Sequence, residues 1–277
     1  MTNDKRHAAI ALTIAGSDSS GGAGIQADLK TFSAFGVYGA SVLTALTAQN
    51  TRGVDAVFAV PPDFVTAQMN SVFSDLSVGA AKTGMLANAE IITAVADMVA
   101  RQTSLPLVCD PVMVATSGDV LLDPAAIGAL RTRLIPRATL LTPNLPEAAR
   151  LLDTAEAADE AAMVDQAARL KALGCKAVLL KGGHGTQEEA VDILMTDSGM
   201  QRLSMPRIAT RNTHGTGCTL AAAAAALLAC GETLETAVSR AKLYVWRALE
   251  AGAGARVGHG SGPVDHLFAI RQQVPPA

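Results

Sequence analysis

The sequence predicts an α/β fold: a three-layer sandwich with a mostly parallel central sheet flanked by helices. Short apolar runs alternate with longer helical patterns along the whole chain. Several of the runs are continuously apolar, as in Ala177-Val-Leu-Leu180, which suits strands covered on both faces. The composition, 49% hydrophobic with only 3% aromatic residues, is rich in the small side chains that let helices pack closely on a buried sheet.

Strand-like runs fall at 8–15, 41–48, 54–60, 78–81, 105–109, 138–141, 177–180 and 191–195. Helical patterns fall at 22–35, 62–73, 89–101, 124–134, 146–152, 160–173, 219–230 and 234–251. The acidic stretch 153–165 reads as the opening of a surface helix rather than a domain boundary. No repeat, linker or charge block divides the chain, so one domain is expected over 1–277, with polar tails near 1–7 and 271–277.

A formal charge of -3 and a pI near 5.9 give no electrostatic reason to expect a nucleic-acid partner. No apolar stretch reaches the roughly 20 residues that span a bilayer, and the N-terminus reads as a first strand rather than a signal peptide. Cys109, Cys175, Cys218 and Cys230 are scattered without metal-ligand spacing, which favours reduced thiols in a cytoplasmic protein.

Ligands of such sheets bind beyond the carboxyl ends of the strands, and the chemistry-bearing residues cluster there. The sharpest signal is Asn212-Thr-His-Gly-Thr-Gly-Cys218, which runs into Thr219-Leu-Ala-Ala-Ala-Ala-Ala-Ala-Leu-Leu-Ala229. A glycine loop opening so strong a helix aims unpaired N–H groups and the positive dipole end at one volume, an anion site. Cys218 at its mouth adds a group that would be stabilised there as a thiolate.

Four other segments admit two readings. Gly16-Ser-Asp-Ser-Ser-Gly-Gly-Ala-Gly24 is either a close-approach loop for a small ligand or an ordinary strand-to-helix turn. Asp110, just after Leu105-Pro-Leu-Val-Cys109, is either a Mg²⁺ ligand or a cap beside Pro111. In Thr142-Pro-Asn-Leu-Pro-Glu147, Asn144 and Glu147 have capping-box spacing, and Glu147 could also face metal and phosphate. Lys181, in Lys181-Gly-Gly-His-Gly185, is a phosphate contact or a lysine surfacing at a strand end. His184 and His214 read as hydrogen-bonded loop residues, and Met85 as core packing.

Taken together these segments resemble the ribokinase-like superfamily, and within it the hydroxymethylpyrimidine/phosphomethylpyrimidine kinases of thiamin biosynthesis. The resemblance runs from Ile10 to about Phe268. It also includes Ile25-Gln-Ala-Asp-Leu-Lys30, Thr44-Ala-Leu-Thr-Ala-Gln-Asn50, Lys82-Thr-Gly-Met-Leu86 and Cys109-Asp-Pro-Val-Met113. It implies a homodimeric enzyme that uses ATP and Mg²⁺ to phosphorylate a pyrimidine alcohol and then its monophosphate. Pyridoxal kinase and a non-catalytic pyrimidine-binding protein are the alternatives. It implies further that Gln49 reads the aminopyrimidine and that Gly16, Ala23, Asp28, Met85 and Val112 line the same pocket. Asp110 and Glu147 would serve Mg²⁺, while Lys181, Asn144 and Glu147 would serve the ATP phosphates. Gly215, Thr216 and Gly217 would hold the moving phosphoryl group. Cys218 stands where most of the wider superfamily has an aspartate base, and Ser19 where the family usually has proline.

Overall fold

The computed structural model describes residues 8–115, 118–119, 121–183 and 188–271. Nine strands form one sheet: β1 (Ile10–Asp18), β2 (Tyr38–Asn50), β3 (Gly53–Ala59), β4 (Ala80–Thr83), β5 (Leu107–Cys109), β6 (Leu140–Leu141), β7 (Val178–Lys181), β8 (Glu189–Thr196) and β9 (Gly199–Pro206). Their order is β3-β2-β1-β4-β5-β6-β7-β8-β9. The six strands from β2 to β7 in that order are parallel, while β3 at one edge and β8 and β9 at the other are antiparallel.

The helices are α1 (Gly24–Ala34), α2 (Pro62–Asp75), α3 (Ala89–Ala100), a short turn α4 (Ile127–Ala129), α5 (Leu145–Leu152), α6 (Glu160–Lys171), α7 (Thr216–Ala229), α8 (Leu234–Gly252) and α9 (Phe268–Arg271). Two hydrophobic clusters fill the two faces of the sheet. One joins Leu12, Ile14, Leu107 and Val178 to α2, α3, α5 and α6, and the other joins Ala11, Val108, Leu140 and Leu179 to α1, α7 and α8. This is the expected three-layer α/β sandwich.

The alanine run explains the position of α7. Every residue from Thr219 to Leu227 is buried, a pattern for a helix enclosed on all sides, and the small side chains let α1, α8 and the sheet approach it closely.

The acidic stretch opens α6 as expected, with Asp159 accepting from the Ala162 amide. Two expectations need correction. Residues 124–134 are not one regular helix but a succession of 3-10, α and π turns, followed by a further 3-10 turn at Ile135–Arg137. Pro136 has no amide to donate, and its ring crowds the carbonyl four residues back, so a regular helix cannot run through it. Strand β9 was not anticipated, because it is a mostly exposed edge strand with little apolar patterning. His184 and Gly185 lie outside the described residues.

Candidate active site

The parallel strands deliver their chemistry to one edge of the sheet. Asp18 ends β1, Asp110 follows β5, Thr142 follows β6, Lys181 ends β7, and the amino end of α7 faces them. Lys181 Nζ lies 3.0 Å from Asp110 Oδ1, which also accepts from the Thr142 hydroxyl at 3.0 Å. A Cβ placed on Gly217 would stand 3.3 Å from Lys181 Nζ and 3.8 Å from Asp110 Oδ2. The ion pair therefore sits directly against the α7 terminus.

Gly215 caps α7 in the left-handed region, at φ 78°. The amides of Gly215, Gly217 and Cys218 have no partner among the described residues, whereas the Thr216 amide turns back to the Thr213 carbonyl at 3.3 Å. Three of the four expected donors are thus free for an anion. Gly215 is constrained twice, since a Cβ there would also stand 2.0 Å from the Gly22 carbonyl oxygen. Gly215→Ala is expected to lower stability by about 2 kcal/mol or more in urea denaturation, through left-handed strain plus the clash. Gly36→Ala, at φ 69° with nothing within 4 Å, should cost only about 1 kcal/mol. Equal losses at the two positions would remove the clash from the explanation.

Asn144 and Glu147 form the capping box of α5, with the Asn144 amide donating to Glu147 Oε2 and the Glu147 amide to Asn144 Oδ1, each at 2.8 Å. Burial pushes the Glu147 carboxyl up to about 7, and the neighbouring Asp110 charge adds to this against the pull of Lys181 and of the Asn144 and Met113 amides. Capping and a place beside Asp110 and Lys181 hold together. Burial opposes the Lys181 charge, but Asp110 and Glu147 outweigh it and raise its pKa.

The loop at 16–24 is organised around Asp18. Its carboxylate accepts from the Ser20 amide and hydroxyl, the Gly22 and Ala23 amides, and His214 Nε2 at 2.8 Å. Burial works against the charged form, yet the bonds from His214, Ser20 and Ala23 hold the carboxyl well below the usual carboxylate range. His214 is thus the hydrogen-bonded loop residue expected, and Asp18 is a partner that the motif alone did not single out.

Gly16 and Met85 are neighbours, the Met85 sulfur standing 3.0 Å from where a Gly16 Cβ would be. Val112 is half-buried after β5. The Ser19 hydroxyl clamps Gln49, donating to its carbonyl and accepting from its amide, both at 2.8 Å, while Thr47 donates to its side-chain oxygen at 3.0 Å. A proline at position 19 could make neither of the first two bonds. Gln49 and His214 line one cleft of about 330 Å³, but Gly16, Ala23, Met85 and Val112 do not line it.

Asp28 departs from its expected place in a pocket wall. It is fully buried, accepting from Lys82 Nζ at 2.8 and 3.0 Å and from the Thr13 hydroxyl at 2.6 Å. Lys82 is equally buried. Burial pushes the Asp28 carboxyl up and opposes the Lys82 charge, but the two short contacts mark an ammonium facing a carboxylate. The negative neighbours of Lys82, Asp28 first and then Asp110, keep it protonated. Although Lys82 opens the run Lys82–Leu86, its role is not legible from sequence, because its partner Asp28 lies 54 residues away.

Cys218 is also corrected in one respect. Burial pushes its thiol up to about 11, with Lys82 and the Gly24 amide pulling the other way and Asp28 and Asp110 pushing further up. The resting group is a thiol, because desolvation outweighs the pull of Lys82 and of the Gly24 amide.

The model of the family described as phosphomethylpyrimidine kinase matches residues 18–265. The chain belongs to the phosphomethylpyrimidine kinase family. It is 55% identical to the hydroxymethylpyrimidine/phosphomethylpyrimidine kinase of Escherichia coli, over 94% of this chain and 97% of that one. It is 57% identical to the corresponding enzyme of Rhizobium meliloti over the same shares. Among solved structures, phosphomethylpyrimidine kinase from Clostridium difficile superposes with a TM-score of 0.76 at 42% identity, covering 87% of this chain and 99% of that one. An ADP complex of Bacillus subtilis pyridoxal kinase superposes with a TM-score of 0.87 at 38% identity, covering 94% and 98%. The family is one of kinases.

Proposed function

We propose that this protein phosphorylates 4-amino-5-hydroxymethyl-2-methylpyrimidine, and then its monophosphate to the diphosphate, for thiamin diphosphate synthesis. The observation that carries the reading is the convergence of the Asp110–Lys181 pair on Gly217 at the amino end of α7. In this reading the amides of Gly215, Gly217 and Cys218 receive the phosphoryl group as it moves from ATP. Thr216 shapes the turn through its bonds to Thr213. Lys181 acts as a point charge on the ATP phosphates, next to Asn144 at the α5 terminus.

Asp110 and Glu147 would hold Mg²⁺. They are hard oxygen donors, and a divalent cation would relieve the buried, partly protonated state of Glu147. Among the described residues there is no cluster of three or more His, Cys, Asp or Glu side chains placed to hold a metal ion, so phosphates and water would complete the shell. When bound, Mg²⁺ supplies charge neutralisation on the phosphates.

The first transfer needs a proton taken from a hydroxymethyl oxygen, and the thiolate form of Cys218, a minor fraction below the thiol's pKa of about 11, is the group beside the α7 terminus able to accept it. The second uses a phosphate monoester oxygen that is already ionised near neutral pH, its second pKa being about 6. The loose character of phosphoryl transfer makes positioning weigh more than base strength. Gln49 would read the ring with its amide, and Gly16, Ala23, Met85 and Val112 would border it, with Asp28 acting from below through Lys82.

A single domain, a homodimer and a cytoplasmic location complete the reading. The continuous sheet supports the single domain and the four free cysteines the cytoplasmic location, while the homodimer rests on the family resemblance. No helix among the described residues is long and apolar enough to cross a membrane. The pyridoxal kinase likeness favours pyridoxal as the competing alcohol. The test is ADP release with each alcohol and with the pyrimidine monophosphate, side by side. Both pyrimidine steps should consume ATP, with a higher kcat/KM for the pyrimidine alcohol than for pyridoxal. Preference for pyridoxal, or no pyrimidine-dependent ADP release, would overturn the assignment.

A further inference from the structure

The cleft that Gln49 and His214 share also carries two arginines, Arg52 and Arg211, and no carboxylate among the described residues lines it. At about 330 Å³ it lies at the lower end of the roughly 300–1,000 Å³ typical of small-molecule sites. Neither guanidinium has an acidic partner among the described residues. Their backbones are nonetheless fixed. The Arg52 amide donates to Asn50 Oδ1 at 2.8 Å, and the adjoining Thr51 hydroxyl accepts from the His259 and Gly260 amides at 3.2 and 3.0 Å. The Ser261 amide donates to the Thr51 carbonyl at 2.9 Å, so the hairpin and the C-terminal segment close one wall. On the other wall, Arg211 precedes Asn212, whose Nδ2 donates to the Gly252 and Ala255 carbonyls at 2.7 Å each.

Two uncompensated guanidinium groups on anchored backbones, opening on a cleft free of acids, suit a dianionic phosphate, which guanidinium forks bind in two-point fashion. We propose that this cleft is a phosphate subsite for the phosphorylated pyrimidine, adjoining through His214 the α7 amides that receive the moving phosphoryl group, so that the held phosphate can present its oxygen to that group. The inference rests on the kinase reading for the identity of its ligand. Gln49 borders the cleft, so the same residue would hold the ring while Arg52 and Arg211 hold its phosphate.

The test uses the whole protein and the double variant Arg52→Gln/Arg211→Gln. A charge-assisted contact is worth roughly tenfold in affinity or more, so the variant should raise the KM for the pyrimidine monophosphate at least about tenfold. The KM values for the unphosphorylated alcohol and for ATP should stay within about twofold, since the arginines touch neither. A parallel rise in the KM for ATP would assign the arginines to the nucleotide and overturn the proposal, as would an unchanged KM for the monophosphate. Calorimetric titration of pyrophosphate, without nucleotide, reads the subsite independently of turnover. Binding by the parent and loss in the variant would uphold the anion site even if neither alcohol were phosphorylated. Equal binding by both proteins, or none by the parent, would remove the site while leaving the kinase reading intact.

Discussion

Lys82→Met is expected to lower the unfolding free energy by about 3–5 kcal/mol, the usual cost of stranding a buried charge. The partner left behind is Asp28, which is fully buried and keeps only the Thr13 hydroxyl as a donor. Water cannot reach it to make up the loss, so the carboxyl must protonate or the region must open. Urea denaturation of the single and double variants checks the account. Lys82→Met/Asp28→Asn should recover most of the loss, because both charges then leave the interior together. A single variant within about 1 kcal/mol of the parent would mean that the pair is not the isolated ion pair its geometry describes.

Cys218→Ala should reduce phosphorylation of the pyrimidine alcohol by about 10²–10⁴-fold, the range typical of a lost general base. Phosphorylation of the monophosphate should change by less than about tenfold, because its nucleophilic oxygen needs no base. The thiol value of about 11 fixes the sign of the pH dependence. Below 11 the thiolate fraction rises about tenfold per pH unit, so kcat/KM for the first transfer should climb between about pH 7 and 9. The second should be flat over that interval, since a phosphate monoester is already mostly ionised above about pH 6. Replacing the sulfur should abolish the slope of the first step and leave the second profile unchanged. Equal losses in both transfers would make Cys218 a shaping residue of the groove rather than a base.

Much of the fold is legible in the chain because it rests on local patterning. Continuous apolar strands, the capping box at Asn144 and Glu147, and the alanine helix after Gly217 each carry their own physical signature, and all three stand where the pattern puts them. Strand β9 escaped notice because an exposed edge strand needs no apolar face. The irregularity of residues 124–134 is not visible in the pattern, because the effect of Pro136 on the preceding turn depends on three-dimensional crowding. In the site, Asp110, Lys181 and the α7 loop could be read as strand-end and helix-start residues. The pairing of Asp28 with Lys82, and of Asp18 with His214, joins segments 54 and 196 residues apart, a separation that periodicity does not encode. The state of Cys218 was misjudged for a related reason. Helix polarity is visible in sequence, whereas the burial that raises the thiol's pKa belongs to the packed molecule.

The enclosure of α7 makes the groove's shape a property of the interior as much as of the loop that borders it. From Thr219 to Leu227 the helix has no free side along which to slide or tilt. Adding methylenes at Ala222 or Ala224, out of reach of any ligand, would press the helix off its neighbours and shift the amides at its amino end with it. Tolerance to substitution should therefore be poorest in this plain stretch of alanines, where a survey of polar groups would not look, and its mutants should bind phosphate badly before they unfold.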